Sequence, residues 1–97
     1  MATKQDILNL LYQAIDDFND EAEEADEQLE KSELVFLLGE HSKLDSLALV
    51  TYIGMVEQRL REDLNVELSL INSETINPQT GLMNTIGSLS DHIGTLL

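Results

Sequence analysis

Three stretches of this chain place aliphatic residues three and four positions apart, a spacing that commits each stretch to a helix with one apolar face. In residues 3–18 the stripe is Ile7, Leu8, Leu11, Ala14, Ile15 and Phe18. In residues 45–63 it is Leu49, Ile53, Val56 and Leu60, flanked by Tyr52 and Leu64. In residues 85–97 it is Ile86, Leu89, Ile93 and Leu96. Aromatics make up 4% of the chain and Trp is absent, so the faces must meet in an aliphatic core. Thr3 followed by Asp6 reads as a capping box with Asp in the Glu position, and Thr85 reads as a second cap. Gly54 within the second helix costs about 1 kcal/mol relative to Ala, and a close contact there is one reason to keep it. Gly87 and Gly94 make the last helix weaker than the first.

The connections are long. Residues 16–33 hold ten of the 19 acids, with Lys31 as the only base. Apolar residues are sparse there (Phe18, Ala22, Ala25, Leu29), so the stretch reads as a solvated loop or frayed helix extension. It is longer than ordinary loops, as an insertion would be. Residues 34–38 (LVFLL) are too few to assign by period and are expected to pin the loop onto the bundle. Residues 39–44 (GEHSKL) lead into the second helix. Residues 65–70 (NVELSL) alternate like a strand, but nothing else in the chain offers a pairing partner. Residues 73–77 read as one helical turn ended by Pro78. The expected fold is all-α: a small irregular four-helix bundle of three main helices plus one short helix. Residues 1–97 form a single domain with an acidic loop or insertion at about 19–33.

The formal net charge of −14 argues against nucleic acid as a partner, since phosphate binding needs clustered Lys and Arg. Partners with basic patches are favoured. Self-repulsion weakens the compact state, so NaCl or Mg²⁺ is expected to raise the melting temperature; a thermal melt indifferent to both would count against this. The chain has no cysteine, which removes disulfides, thiolate metal sites and a cysteine nucleophile. The start MATKQDILNL lacks the apolar core of a signal peptide, and no apolar run is long enough to span a bilayer. These features read as a soluble, cytoplasmic, monomeric protein without membrane insertion. No EF-hand spacing and no phosphate-cradling glycine loop is present, so no metal site is assigned. His41, near Ser42 and Ser46, lacks a nucleophile elbow around either serine. His92 sits near a helix end, where a cation is mildly favoured. No catalytic residue is assigned, and the chain is read as a non-enzyme.

Ser46 is the exception to this plainness. It opens the second helix, where a hydroxyl is reachable and backbone amides favour negative charge. Asp45 before it can cap the helix and can help hold a Mg²⁺ ion in a modifying complex. Leu47 lies roughly 160° around the helix from Leu49, which puts it outside the core stripe. Ser69 and Ser88 also precede leucines, but neither follows an Asp.

GEHSKLDSLALV followed by an amphipathic helix resembles the acyl and peptidyl carrier protein family. Asp45, Ser46 and Leu47 match its Asp-Ser-Leu motif. Leu38 and Gly39 are similar to the Leu-Gly that often precedes the motif, and Thr85, Ile86 and GSLSDHI resemble its last helix. The likeness covers about residues 3–97, poorly at 19–33. It implies a carrier in lipid or secondary-metabolite biosynthesis that holds acyl groups as thioesters on 4′-phosphopantetheine. That arm, covalently attached to Ser46, would come from coenzyme A. Asp45 and Leu47 would be read by the phosphopantetheinyl transferase and by acyl-transferring or synthase enzymes with basic patches. Val50, Ile53, Val56 and Ile76 would line an acyl shelter, unless they are plain core. Carriers of fatty acid synthesis usually have an acidic second helix, whereas Ala48, Thr51, Tyr52 and Gly54, then Arg59 and Arg61, follow the motif here. A specialised stand-alone carrier is the expectation from this pattern and from the chain's own start and end. An aminoacyl or peptidyl carrier, or an acidic helical interaction module without a prosthetic group, is the alternative.

Overall fold

Each of the three stripes becomes a helix in the computed structural model, which describes residues 3–22 and 28–97. Helix α1 spans Lys4–Glu21, α2 Ser46–Leu64 and α3 Ile86–Leu96. Among the described residues there is no strand, and no helix is long and apolar enough to cross a membrane. Helix α1 is central and packs against both α2 and α3.

The Thr3 capping box forms as read, with the Asp6 amide donating to Thr3 Oγ1 at 3.2 Å and the Thr3 amide to Asp6 Oδ2 at 3.0 Å. The α1 stripe is buried in full, as are Leu49, Ile53, Val56 and Leu60 of α2. Tyr52 joins them rather than flanking them. Its ring meets Phe18 edge-on at 6.0 Å, and its hydroxyl donates to the Leu11 carbonyl at 3.0 Å, so α1 and α2 are held in register by one buried hydrogen bond. At the rim, Arg59 reaches Asp17 with two nitrogens at 2.9 Å and Gln13 at 2.9 Å. Hydrogen bonding to Asp17 raises the Arg59 pKa further above its ordinary value. Solvent reaches this pair, so it contributes little beyond orientation, roughly 0–1 kcal/mol.

Burial pushes the Tyr52 phenol well above its ordinary range, with a smaller push from Tyr12. The unfolded chain releases this proton near pH 10 and the folded protein does not. Stability is therefore fully present below about pH 10 and falls as pH rises beyond it. Tyr52→Phe is expected to cost about 0.5–1.5 kcal/mol at neutral pH for the lost hydrogen bond. Urea melts on either side of pH 10 should then show a shallower alkaline loss than in the wild type. An unchanged slope would contradict this.

Several expectations need correction. Of the two readings of the acidic stretch, the helix extension holds as far as Glu21, since α1 runs about one turn past Phe18. Residues 23–27 of the expected acidic loop lie outside the described residues. The chain is held again at Leu29, which is buried and clamped at both backbone groups by the Asn19 side chain, at 2.9 and 2.8 Å. Residues 33–38 do tie the connection down: the Ile86 amide donates to the Val35 carbonyl and the Gly87 amide to the Glu33 carbonyl, both at 3.0 Å. Leu37 is buried, but Leu34 and Phe36 remain on the surface. The close approach expected at Gly54 is found at Gly87 instead, where a Cβ would meet Glu33 atoms at 3.2 Å, while nothing lies near Gly54.

Residues 65–70 are extended with Val66, Leu68 and Leu70 turned inward, and they pair with no strand. The fourth helix is reduced to turns. Ser73–Ile76 is a hydrogen-bonded turn in which Thr75 donates to the Leu70 carbonyl at 2.6 Å. Pro78 opens a 3-10 turn, Pro78–Thr80, instead of ending a helix; proline lacks an N–H that a first position does not need. Leu96 is 45% exposed, so burial on α3 ends at Ile93.

Candidate functional site

The segment ahead of α2 is fixed by short-range hydrogen bonds. Gly39 adopts a left-handed φ of 89°, which glycine takes without steric cost. The Ser42 hydroxyl then donates to the Leu37 carbonyl and accepts from the Leu44 amide, both at 3.0 Å. Because Leu37 is anchored in the core, Ser42 sets where residues 43–45 arrive. From sequence, Ser42 stands out only beside His41, and this positioning role is missed; the available signal was a serine three positions after a glycine.

Asp45 is the N-cap of α2, with backbone at φ −82° and ψ −180°, and its Oδ1 accepts from the Ala48 amide at 2.8 Å. The Asp45 carbonyl accepts from the Leu49 amide at 2.9 Å. Ser46 is thus the first helical residue, and it is exposed. Among the described residues its hydroxyl has no hydrogen-bond partner, and neither do the Ser46 and Leu47 amides. The start of α3 differs: its first two amides are taken by the Val35 and Glu33 carbonyls. The α2 terminus therefore keeps two donors and the positive end of the helix dipole available to an anion on Ser46.

Leu47 is 76% exposed. This separates the three serine–leucine pairs, because Leu70 and Leu89 are fully buried behind Ser69 and Ser88. Ser46 alone combines a reachable hydroxyl with an outward leucine and a preceding aspartate.

Ile53 and Val56 are core residues, whereas Val50 is 53% and Ile76 45% exposed. Val50 and Ile76 therefore do not line an interior shelter. His41 stacks at a tilt on Phe36, with ring centres 5.3 Å apart, and neither Ser42 nor Ser46 is hydrogen-bonded to it. His92 is half-buried on α3, beside the Asp91 carboxylate that meets Lys4 at 3.3 Å. Among the described residues, no group of three or more His, Cys, Asp or Glu side chains is arranged to hold a metal ion.

Comparison with protein-family models, curated proteins and solved structures finds no match to this chain.

Proposed function

We propose that the chain is a carrier protein of the acyl and peptidyl carrier type, modified on Ser46 with 4′-phosphopantetheine and itself without catalytic activity. The observation that carries this reading is the exposed, unpartnered Ser46 hydroxyl at an open helix amino terminus, next to the outward Leu47. The Asp-Ser-Leu match supplies the chemistry. In the four-helix arrangement this reading implies, residues 72–80 take the place of the short third helix.

Within this proposal each residue has a task. The Ser46 Oγ attacks a phosphorus of coenzyme A on the transferase. Its proton passes to a base of that enzyme, the pyrophosphate bond breaks, and adenosine 3′,5′-bisphosphate leaves. The Ser46 and Leu47 amides and the α2 dipole stabilise the phosphodiester charge. Asp45, already engaged in capping through Oδ1, holds the helix start in place and keeps carboxylate oxygen capacity for a Mg²⁺ ion in the modifying complex. Leu47 offers apolar area to the enzyme that binds. The attached group supplies a thiol on a flexible arm, which a cysteine-free chain lacks. Acyl-transferring or synthase enzymes with basic patches are the partners, in a cytoplasmic setting.

Incubation with coenzyme A, Mg²⁺ and a broad phosphopantetheinyl transferase tests the proposal by intact mass. The wild type is expected to gain one phosphopantetheinyl group. A mass left unchanged by several such transferases would rule the carrier reading out.

A further inference from the structure

The last turn of α1 carries two exposed acids, Asp20 and Glu21. A groove of about 310 Å³ runs between the last turn of α1 and the first turns of α2, with Phe18, Ala22, Leu44, Leu47, Ala48 and Thr51 along it. Glu21 stands on its rim and also borders the next hollow, which Asp20 and Glu62 share. The two hollows therefore form one surface, apolar at the Leu47 end, where Lys43 and Asp45 offset each other in charge, and acidic at the other. Of its two bases, Arg59 is occupied by Asp17 and Gln13, and Lys43 lines the Leu47 hollow but not the acidic one. Asp20 and Glu21 have no ion-pair partner among the described residues.

An arm on Ser46 does not suit this groove. Ser46 lies roughly 140–160° around α2 from Ala48 and Thr51, on the flank shared with Val50. The groove belongs to a surface that meets α2 from the α1 side, and its charge selects what that surface carries.

We propose that this α1–α2 groove is the docking face for a basic partner protein. The partner would seat an apolar side chain against Phe18, Leu47 and Ala48 and set Lys or Arg against Asp20, Glu21 and Glu62. The partner's identity as an acyl-transferring enzyme rests on the carrier reading; the docking face does not. Leu47 is then one wall of a binding groove as well as a handle beside the serine, and α1 sets partner choice.

The test uses the ¹⁵N-labelled chain and a synthetic helical peptide with one leucine flanked by arginines and lysines, titrated at low ionic strength. The largest amide shifts are expected at Phe18, Glu21, Ala48 and Thr51. The double reversal Asp20→Lys/Glu21→Lys should weaken binding about tenfold or more, and Glu67→Lys/Glu74→Lys, with the same change in net charge, less than about twofold. Thr51→Phe, which fills the groove without altering charge, should weaken it as well. Equal losses from the two charge reversals, shifts centred on Val50 and Ile76, or no binding would overturn the proposal. Intact mass after transferase treatment of the same sample reads the carrier function separately. An unmodified Ser46 with groove-specific binding removes only the carrier reading. A modified Ser46 without groove-specific binding removes only the docking face.

Discussion

Ser46→Ala is expected to take up no phosphopantetheine under conditions that modify the wild type completely, while its melting temperature stays close to that of the wild type. The two halves of this result have different causes. The hydroxyl is the nucleophile, so its removal leaves nothing to form the phosphodiester. The side chain is exposed and makes no hydrogen bond among the described residues, and surface substitutions of that kind shift stability by only about ±0.5 kcal/mol. Capping is left to Asp45. Intact mass and a thermal melt on the same sample separate the outcomes. A Ser46→Ala protein that still gains the group would place the attachment on another serine; a large drop in melting temperature would make Ser46 a structural residue.

Leu11→Ala is expected to damage the fold far more than any change at the Ser46 site. Leu11 is fully buried in α1, the helix that touches both others, and its carbonyl receives the Tyr52 hydroxyl. Losing a buried leucine side chain costs about 2–5 kcal/mol, through lost transfer free energy and the cavity left behind. A domain of this size has about 5–15 kcal/mol in total, and each 1 kcal/mol shifts its melting temperature by roughly 4–8 °C. The variant should therefore melt about 8–40 °C lower, or fail to fold at 37 °C. Leu47→Ala, equal in chemistry but 76% exposed, should leave the melt almost unchanged and slow modification instead. Equal effects of the two leucines on stability would contradict the placement of Leu11 in the core and Leu47 on the surface.

Much of the fold was legible because a helix repeats its burial every three to four residues. That rule placed Leu49, Ile53, Val56 and Leu60 inward and Leu47 outward, as the structure has them. It fails wherever the neighbour, rather than the helix, decides. Nothing in the spacing of Ile93 and Leu96 says that cover stops at Ile93. Val50 and Ile76 are apolar in sequence, and only the paths of α2 and residues 65–77 leave them at the surface. Gly54 and Gly87 look alike in sequence, but Glu33 comes close to only one of them. Residues 73–77 have a helix-like start, yet Asn72 and Thr75 spend their hydrogen bonds on a closed turn. At the site, Asp45 and Ser46 were readable as a cap and a first helical residue. Ser42, which sets their approach, was not readable, because its partner Leu37 becomes fixed only when residues 33–38 meet the start of α3.

Peptide mass spectrometry of the chain purified from its native source tests the attachment most directly. Cleavage after Lys43 and Arg59 isolates residues 44–59, with Ser46 as the only serine. That fragment should carry a single phosphopantetheinyl group, and fragments bearing the other serines should carry none. Finding residues 44–59 uniformly bare would contradict the carrier assignment at its root.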